Sequence, residues 1–461
     1  MEKELEKQKM FAAIDIGTTK IVALVGYKNE SGSIVVIGKG ETPSEGMNAG
    51  TVVAAHQTTT AIKRAVAIAE KEAGFFPKKV VVGVAGRHIV SERTTVQRNR
   101  TDASAPITQK ELDELFVAAQ KQVMILPEEE IIHVIPQDYQ IDGCYVKSPL
   151  DLPGGYVEAN FHIVKGKTKS LDMIKSSVRG AGLETSEDMF YLEPLASSDA
   201  VLTDAERKRG VALIDMGGGT TDIAIYYDGI LQTTEVVPFG GELITKDIMC
   251  GCEIMKEDAE ALKLEWGSAL QEGIENVNVI IGNGCTQKTI TSVSLAGIIQ
   301  SRIIEIINSV QYTIYTSGYA DKITSLVLTG GGANLKNLSQ LLNYLLKKPS
   351  EIKTPISSIQ YRENTLFNNP KYSTVVGLLQ KSSKHWEIDY QQYLAELEAQ
   401  KAATVVVEEP QLTEESVKSE PTTRKRFWGS IGGYVKGFMK EITNVDDEYK
   451  LSDAQSEKQH I

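Results

Sequence analysis

The fold of this chain is decided by one stretch, Gly210-Val-Ala-Leu-Ile-Asp215-Met-Gly217-Gly218-Gly219-Thr220-Thr221-Asp222-Ile-Ala-Ile-Tyr226. The apolar residues before Asp215 predict a buried strand, and those after Asp222 predict a second one. The glycines between the strands carry no side chain, so backbone N–H groups can close on a phosphate. The stretch therefore predicts a hairpin that holds phosphate.

The same pattern occurs near the N-terminus as Phe11-Ala-Ala-Ile-Asp15-Ile-Gly17-Thr18-Thr19-Lys20-Ile-Val-Ala-Leu-Val25. It again consists of a strand, an aspartate, a glycine turn, hydroxyl side chains and a strand. Asp15 and Asp215 are 200 residues apart. Two copies at this distance are expected of a duplicated α/β domain that closes on one nucleotide from both sides.

A third glycine-rich segment follows an apolar strand, in Leu326-Val-Leu-Thr-Gly330-Gly331-Gly332-Ala333-Asn334-Leu335. Each segment alone could be an ordinary glycine-rich turn, but three in this order favour a nucleotide site. Together they resemble the actin, Hsp70 and sugar kinase superfamily, in which the third segment is the adenosine loop. The resemblance implies an α/β fold with two duplicated, actin-like RNase H-like domains around a nucleotide cleft.

The resemblance further implies that ATP and Mg2+ bind in this cleft. Asp15 and Asp215 would hold the metal through water, and Glu193 would lie where relatives orient the attacking water. Glu193 also fits the plain alternative of an acid at a helix N-terminus, where the macrodipole favours it. The resemblance assigns cofactor binding to Asp15, Gly17, Thr18, Thr19, Lys20, Asp215, Gly217, Gly218, Gly219, Thr220, Thr221, Gly241, Glu260, Lys263, Gly330, Gly331 and Gly332.

Two of these residues have a second explanation. Glu260 and Lys263 are three positions apart on a predicted helix, where a surface ion pair would also form. The superfamily resemblance instead places them near adenine and ribose, with Gly241 beside them. Both explanations remain open from the sequence.

The composition indicates a globular protein of about two to four domains, since 41% of the 461 residues are hydrophobic. The formal net charge of −12 argues against nucleic acid as a general partner. The first ten residues are charged, unlike a signal peptide, and no run approaches the ~18 apolar residues of a membrane span. We expect the body of the protein to stay in the cytoplasm.

An α+β insert of about eighty residues interrupts the superfamily plan after the first strands. Thr108 and Glu111 form the pattern of a capping box at a helix start, and Val157 to Val164 alternates like a half-exposed strand. Three segments resemble the FtsA family of bacterial cell-division proteins: 133–143, 162–164 and 191–197. In that family the insert, called 1C, contacts neighbouring subunits and later division proteins.

The family resemblance covers roughly residues 10 to 385 and implies a domain order. Subdomain 1A would occupy 10–86 and 165–209, the 1C insert 87–164, subdomain 2A 210–240 and 320–386, with the return to 1A, and subdomain 2B 241–319. Arg302 and Glu305 lie on one amphipathic helix, and in the family the matching residues contact the C-terminal peptide of FtsZ. Without the resemblance they would be an ordinary i,i+3 ion pair.

The C-terminal region changes character. Residues 387–423 predict a disordered acidic linker, 424–442 an amphipathic helix and 443–461 an acidic tail. At about 100° per residue the apolar side chains of 424–442 share one face and basic residues flank it, which favours an anionic membrane surface. Docking of this helix on its own core is the alternative. Membrane contact is predicted for Phe427, Trp428, Ile431, Val435, Phe438 and Ile442.

The sequence therefore predicts an actin-like ATP-binding cell-division protein with slow or no hydrolysis. It would polymerise on the cytoplasmic face of the inner membrane at the division site and anchor FtsZ filaments of the Z ring there. The alternatives are a small-molecule kinase of the same superfamily and an Hsp70-like or pilus-assembly ATPase.

Overall fold

Two mixed sheets carry the two predicted hairpins. The structure, a computed structural model, describes residues 9–184, 186–282, 287–355, 359–361, 367–385 and 388–389. The first half is built on a sheet with the strand order Phe190–Leu192, Val81–Val84, Lys9–Ile16, Lys20–Lys28, Ile34–Pro43 and Ile359–Gln360. The second half is built on a sheet with the order Ile230–Val237, Thr221–Tyr227, Val211–Met216, Ser325–Thr329 and Ser350–Ile352.

The register of the two sheets shows the duplication directly. In the first hairpin Asp15 is opposite Val22, and in the second Asp215 is opposite Asp222. In each half a parallel strand lies on the other side of the hairpin's first strand, Val81–Val84 in one and Ser325–Thr329 in the other. These strands are buried, as expected for sheets covered on both faces. The predicted duplicated α/β architecture is confirmed.

Helices cover both sheets. Glu193–Val201 crosses Ser373–His385 so closely that a Cβ atom on Gly377 would overlap the backbone of Ala196. The α-helices are Ala55–Ala73, Gln109–Gln122, Thr168–Gly180, Glu193–Val201, Asp204–Arg209, Gly241–Cys252, Lys256–Trp266, Ser292–Thr316, Leu338–Leu346 and Ser373–His385.

The insert is a four-stranded antiparallel sheet with one helix on it. Its strand order is Ile89–Asn99, Tyr156–Lys167, Glu129–Ile141 and Cys144–Val146. The capping box is confirmed, because Thr108 accepts from the N–H of Glu111 and its own N–H donates to the Glu111 carboxylate at 2.8 Å.

The prediction of a half-exposed strand at Val157 to Val164 is wrong, because the strand is buried on both faces from Ala159 to Gly166. The insert helix packs on one face, where Phe116 and Phe161 lie edge to face at 6.2 Å. The second half of the molecule covers another part of the strand, since His162 Nε2 lies 2.8 Å from Thr234 Oγ1.

Ser292–Thr316 is long and apolar enough, by length and composition, to cross a membrane. This differs from the expectation that no run approaches a membrane span. Its inward face includes Ile299, Ile303 and Ile306, which belong to the hydrophobic core of the second half. The helix is apolar because one face lies in that core.

The predicted linker begins too early at residue 387. Ile388 and Asp389 form a short strand that pairs with Met10 and Lys9 at the edge of the first sheet. The rest of the linker, the predicted membrane helix 424–442 and the tail 443–461 lie outside the described residues.

Candidate functional site

The turns of the two phosphate hairpins have the same length and shape. Each leaves its first strand through a glycine, Gly17 or Gly217, and four residues separate the last paired positions, Ile16 and Ile21 in one turn and Met216 and Thr221 in the other. A Cβ atom on Gly17 would lie 3.0 Å from the carbonyl oxygen of Lys20, and one on Gly217 would lie 3.1 Å from that of Thr220. Both positions therefore tolerate little beyond glycine, since each would need the facing carbonyl to shift.

The two phosphate turns face each other across the cleft. A Cβ atom on Gly218 would overlap the side chain of Thr19. One on Gly219 would lie 2.5 Å from Thr18 Oγ1 and 2.6 Å from the Cα atom of Ala49. The hydroxyl-bearing positions of the first turn thus lie against the positions of the second turn that lack side chains.

Four acidic side chains gather around these turns. Asp15, Asp215 and Asp222 are buried on the hairpin strands, and Glu193 begins the helix Glu193–Val201. Burial raises the pKa of Glu193 well above its usual value, and the charges of Asp15, Asp222 and Asp215 raise it further. Lys20 is a cation beside this group, with its Nζ 3.4 Å from Asp15 Oδ2.

Asp215 is held in place by two hydroxyl groups. Ser197 Oγ donates a short hydrogen bond to Asp215 Oδ2, and Thr374 Oγ1 donates to the same oxygen at 3.2 Å. Burial raises the pKa of Asp215, while these hydrogen bonds act in the opposite direction. Ser197 lies four residues after Glu193, so the same face of one helix supplies both groups to the cleft.

Asp222 is the fourth acid of the group. Burial, and then the charge of Asp215, raise its pKa well above the usual value. Its Oδ1 atom is buried and has no hydrogen-bond partner among the described residues. A buried carboxylate in this state is stabilised by a nearby cation.

The predicted adenosine loop packs against the second hairpin. Gly330 has a φ of +83°, and a Cβ atom there would overlap Asp215 Oδ1. A Cβ atom on Gly332 would overlap the Met216 side chain. Gly331 differs, because its nearest neighbour would be Lys371 Cβ at 3.9 Å, so this position is open.

Gly241, Glu260 and Lys263 lie together in the structure. Lys263 Nζ lies 2.7 Å from Glu260 Oε2, 2.8 Å from Thr245 Oγ1 and 3.0 Å from the carbonyl oxygen of Gly241. The N–H of Gly241 donates to the carbonyl of Gly217 at 3.0 Å, so this cluster adjoins the second phosphate turn. The pair is therefore more than an isolated surface ion pair.

These residues fit a nucleotide with a divalent cation. The glycines at 218, 219 and 330 form a cradle that side chains would fill. Within the part of the chain that the structure describes, the four acids lie beside Lys20, and Asp222 has a carboxylate oxygen without a partner. Among the described residues, no three acidic, histidine or cysteine groups converge tightly enough to ligate one ion directly.

Two family models match the sequence of this chain. A family model described as cell division protein FtsA matches residues 212–377, and one described as the SHS2 domain inserted in FTSA matches residues 86–165. The cell division protein FtsA of Pseudomonas aeruginosa is 34% identical over 383 residues, which cover 81% of this chain and 89% of that protein. The chain belongs to the FtsA family of cell division proteins.

Other relatives agree with this placement. The FtsA protein of Neisseria meningitidis serogroup B is 33% identical over 387 residues, 82% of this chain and 91% of its own length. Among solved structures, a chain of the PilM-PilN type IV pilus biogenesis complex superposes with a TM-score of 0.60 at 15% identity, over 81% of this chain and 98% of that one. That likeness supports the actin-like fold alone, whereas the family membership favours cell division over the kinase and chaperone alternatives.

The predicted partner-binding residues lie on the outer side of the second half, on Ser292–Thr316. Arg302 Nη1 contacts the Glu305 carboxylate, as the i,i+3 spacing predicts. The same guanidinium is bidentate to Asp247, with Nε to Oδ2 at 2.5 Å and Nη2 to Oδ1 at 3.0 Å. Asp247 therefore fixes Arg302 while Glu305 remains exposed.

Sequence reasoning missed three groups of the site. Asp222 could have been found, because a hairpin with a four-residue turn places it opposite Asp215. Ser197 could have been found from its i,i+4 spacing to Glu193. Thr374 lies 159 residues from Asp215 in the chain, and no local pattern indicates that contact.

Proposed function

We propose that this member of the FtsA family binds ATP with Mg2+ between the two phosphate turns. The observation that carries the proposal is the fit between Thr18 and Thr19 on one turn and Gly219 and Gly218 on the other, beside a group of four acids. Asp15 and Asp215 would hold the hydrated Mg2+, and the turn amides and hydroxyls the phosphates. Gly330, Gly331 and Gly332 would lie along the adenosine, with Gly241, Glu260 and Lys263 near the base and ribose.

Hydrolysis is proposed to be slow or absent. A general base must be deprotonated, whereas the pKa of Glu193 is raised well above its usual value by burial and by three neighbouring carboxylates. A bound cation would lower that pKa, and Glu193 lies in the first turn of the helix Glu193–Val201. Its role would be to orient water, and nucleotide would act mainly on assembly.

The remaining parts of the proposal concern partners. Arg302 and Glu305 would bind the C-terminal peptide of FtsZ, and the insert would contact later division proteins and neighbouring subunits. The apolar side chains Phe427, Trp428, Ile431, Val435, Phe438 and Ile442 would hold the protein to the anionic cytoplasmic face of the inner membrane. One copy would bind weakly, and a filament of many copies would bind firmly because linked sites raise the effective concentration.

Gly331→Glu tests the nucleotide site. The position is open, so the variant should fold and unfold thermally like the parent without nucleotide. The carboxylate would occupy the place of the adenosine, so ATP affinity measured by calorimetry should fall by at least about 100-fold. Unchanged ATP affinity would show that ATP does not bind in this cleft.

Arg302→Glu tests the peptide site. FtsZ peptide affinity should fall while ATP affinity remains, because the positive charge at the proposed contact is replaced by a negative one. Arg64→Glu is a matched control, since Arg64 forms an exposed ion pair with Glu45 at 2.6 Å. If the two variants bind the peptide equally well, the site lies elsewhere.

Phe438→Glu tests the membrane helix by sedimentation with anionic liposomes. A charge at the centre of the apolar face should abolish pelleting, because burying it in the interface is unfavourable. Gly433→Glu adds the same charge to the side opposite the apolar face and should keep most of the binding. Equal pelleting of the Phe438 variant and the parent would favour docking on the core or on a partner.

A further inference from the structure

A short hairpin lies between the first phosphate turn and the root of the insert. Met47 pairs with Val52 and Asn48 with Thr51, and the tip is Ala49 and Gly50. Both tip residues have positive φ, +45° for Ala49 and +73° for Gly50. An alanine in the left-handed region costs about 1 kcal/mol or more, so the surrounding contacts must hold it there.

One side of this bridging hairpin (47–52) contacts both phosphate turns. The N–H of Gly50 donates to Thr18 Oγ1 at 3.0 Å. A Cβ atom added to Gly219 would lie 2.6 Å from the Cα atom of Ala49. Just before the hairpin, the N–H of Ser44 donates to the carbonyl of Thr19 at 3.1 Å. The tip is therefore adjacent to the place where the two turns meet.

The other side of the bridging hairpin contacts the start of the insert. A Cβ atom on Gly50 would lie 2.6 Å from the Cα atom of Gly86. Thr51 Oγ1 lies 3.4 Å from Nδ1 of His88, a buried residue directly before the insert strand Ile89–Asn99. The backbones of Gly50 and Gly86 are thus too close for a side chain to lie between them.

We propose that the bridging hairpin is a third phosphate-responsive element, which orients Thr18 and transmits the difference between a nucleoside triphosphate and diphosphate to the insert. This rests on the proposed nucleotide site. Thr18 Oγ1 accepts the N–H of Gly50, so its own proton is left to be donated to another acceptor, which a phosphate oxygen provides. Gly50 is thus a positioning residue for Thr18.

The transmission follows from contact on both sides of the tip. Triphosphate and diphosphate differ by one phosphoryl group, and only a contact with that group can shift the protein between two states. Thr18, Gly219 and Ala49 meet at the junction of the two turns. A change in their spacing moves the tip, and the tip moves the insert root through Gly86 and the Thr51–His88 contact.

Hydrogen exchange measured by mass spectrometry on the full chain tests the proposal, with ATP, with ADP and without nucleotide. ATP should slow exchange in 44–54 and in 86–92 by several-fold more than ADP does, because the terminal phosphate fixes the tip. In Thr18→Val this difference between ATP and ADP should disappear, and in Thr18→Ser, which keeps a hydroxyl, it should persist.

Thr51→Val separates the two sides of the hairpin. In this variant hydrogen exchange in 44–54 should still respond to ATP, while the response in 86–92 should be lost. Thr60→Val is the matched control, because the Thr60 hydroxyl donates to the carbonyl of His56 on its own helix, at 2.9 Å. That control should behave like the parent in both segments.

The outcomes distinguish this inference from the nucleotide site itself. If ATP and ADP protect 330–334 but protect 44–54 equally, the bridging hairpin does not respond to the terminal phosphate and the inference is overturned. It is also overturned if Thr51→Val leaves the response of 86–92 intact. If neither nucleotide changes exchange at 15–20 or 330–334, the proposed nucleotide site fails and the inference falls with it.

Discussion

The first phosphate turn carries Thr18, Thr19 and Lys20, whereas the second carries Gly218, Gly219 and Thr220 at the equivalent positions. The backbones of the two turns match, but the side chains are complementary. Had both turns kept threonines, the two halves could not approach each other as they do. The duplicated hairpins have therefore diverged so that the side chains of the first turn fit against the glycines of the second.

The two hairpins also differ in charge. Opposite Asp15 the first has Val22, and opposite Asp215 the second has Asp222. In the second hairpin Asp215 accepts hydrogen bonds from the hydroxyls of Ser197 and Thr374. In the first hairpin Asp15 lies beside Lys20 instead. The second half thus carries most of the charge that a cation would balance.

Gly219→Ala should have the largest effect on the contact between the two phosphate turns. Its methyl group would meet the backbone of Ala49 as well as Thr18, and backbone cannot rotate away. Overpacking of this kind costs about 1–3 kcal/mol, so we expect ATP affinity to fall by about 10- to 100-fold. Calorimetric titration with ATP measures the loss.

Gly155→Ala is the control for that substitution. Its methyl group would meet its nearest neighbour, Ala103 Cβ, at an ordinary 3.4 Å in the insert. Parent-like ATP affinity in the Gly219 variant would mean that the turns need not approach each other to bind nucleotide.

Asp222→Asn tests the difference in charge. The pKa of Asp222 is raised above its usual value of 3.8, so its contribution to stability is present below that pH and is lost as the pH rises through the raised pKa. At pH 8 without Mg2+ the asparagine variant should therefore be more stable than the parent. Chemical unfolding at pH 8 and near pH 4 measures the difference, which should vanish at the lower pH.

The exposed Asp321→Asn reports the effect of losing one charge from the surface. An Asp222→Asn protein that is less stable than the parent at pH 8 would show that the carboxylate is compensated by contacts within the protein. In that case the second hairpin would not need a cation to offset its charge.

Gly218→Ala should have a smaller effect than Gly219→Ala. The atoms that its methyl group would meet all belong to the Thr19 side chain, which is exposed and can rotate. A double-mutant cycle with Thr19→Ala should show a favourable coupling of about 1 kcal/mol in ATP binding. The cycle of Gly219→Ala with Thr18→Ala should show little rescue, since the Ala49 backbone remains. Additive effects at 218 and 19 would contradict the complementary fit.

The hairpins could be predicted because their signal is local. Strand, glycine turn and strand lie within about twenty residues, and each glycine has a backbone reason to be there. The opposed fit of the two turns could not be predicted, because it joins residues 200 positions apart. The same holds for the buried insert strand, since a polar residue such as His162 looks exposed until Thr234 is known to face it.

Ser197→Ala should have the smallest effect. This variant is recognised by a loss of stability that depends on pH. The Ser197 hydroxyl lowers the pKa of Asp215 against the burial that raises it, so removing the hydroxyl raises that pKa further. A raised pKa means stability that is lost as the pH rises, so the variant should lose more stability at pH 8 than near pH 4. The pH-dependent part should be under about 1 kcal/mol, because Thr374 still donates to the same oxygen at 3.2 Å.

Ser198→Ala is the matched control, since Ser198 is equally buried and is the next residue on the same helix. Its hydroxyl donates to the carbonyl of Pro194 at 2.7 Å, an acceptor that does not titrate. Its loss of stability should therefore be the same at pH 4 and pH 8. If the two serine variants show the same pH profile, Ser197 serves only packing, and the extra hydroxyl on Asp215 does not distinguish the second hairpin from the first.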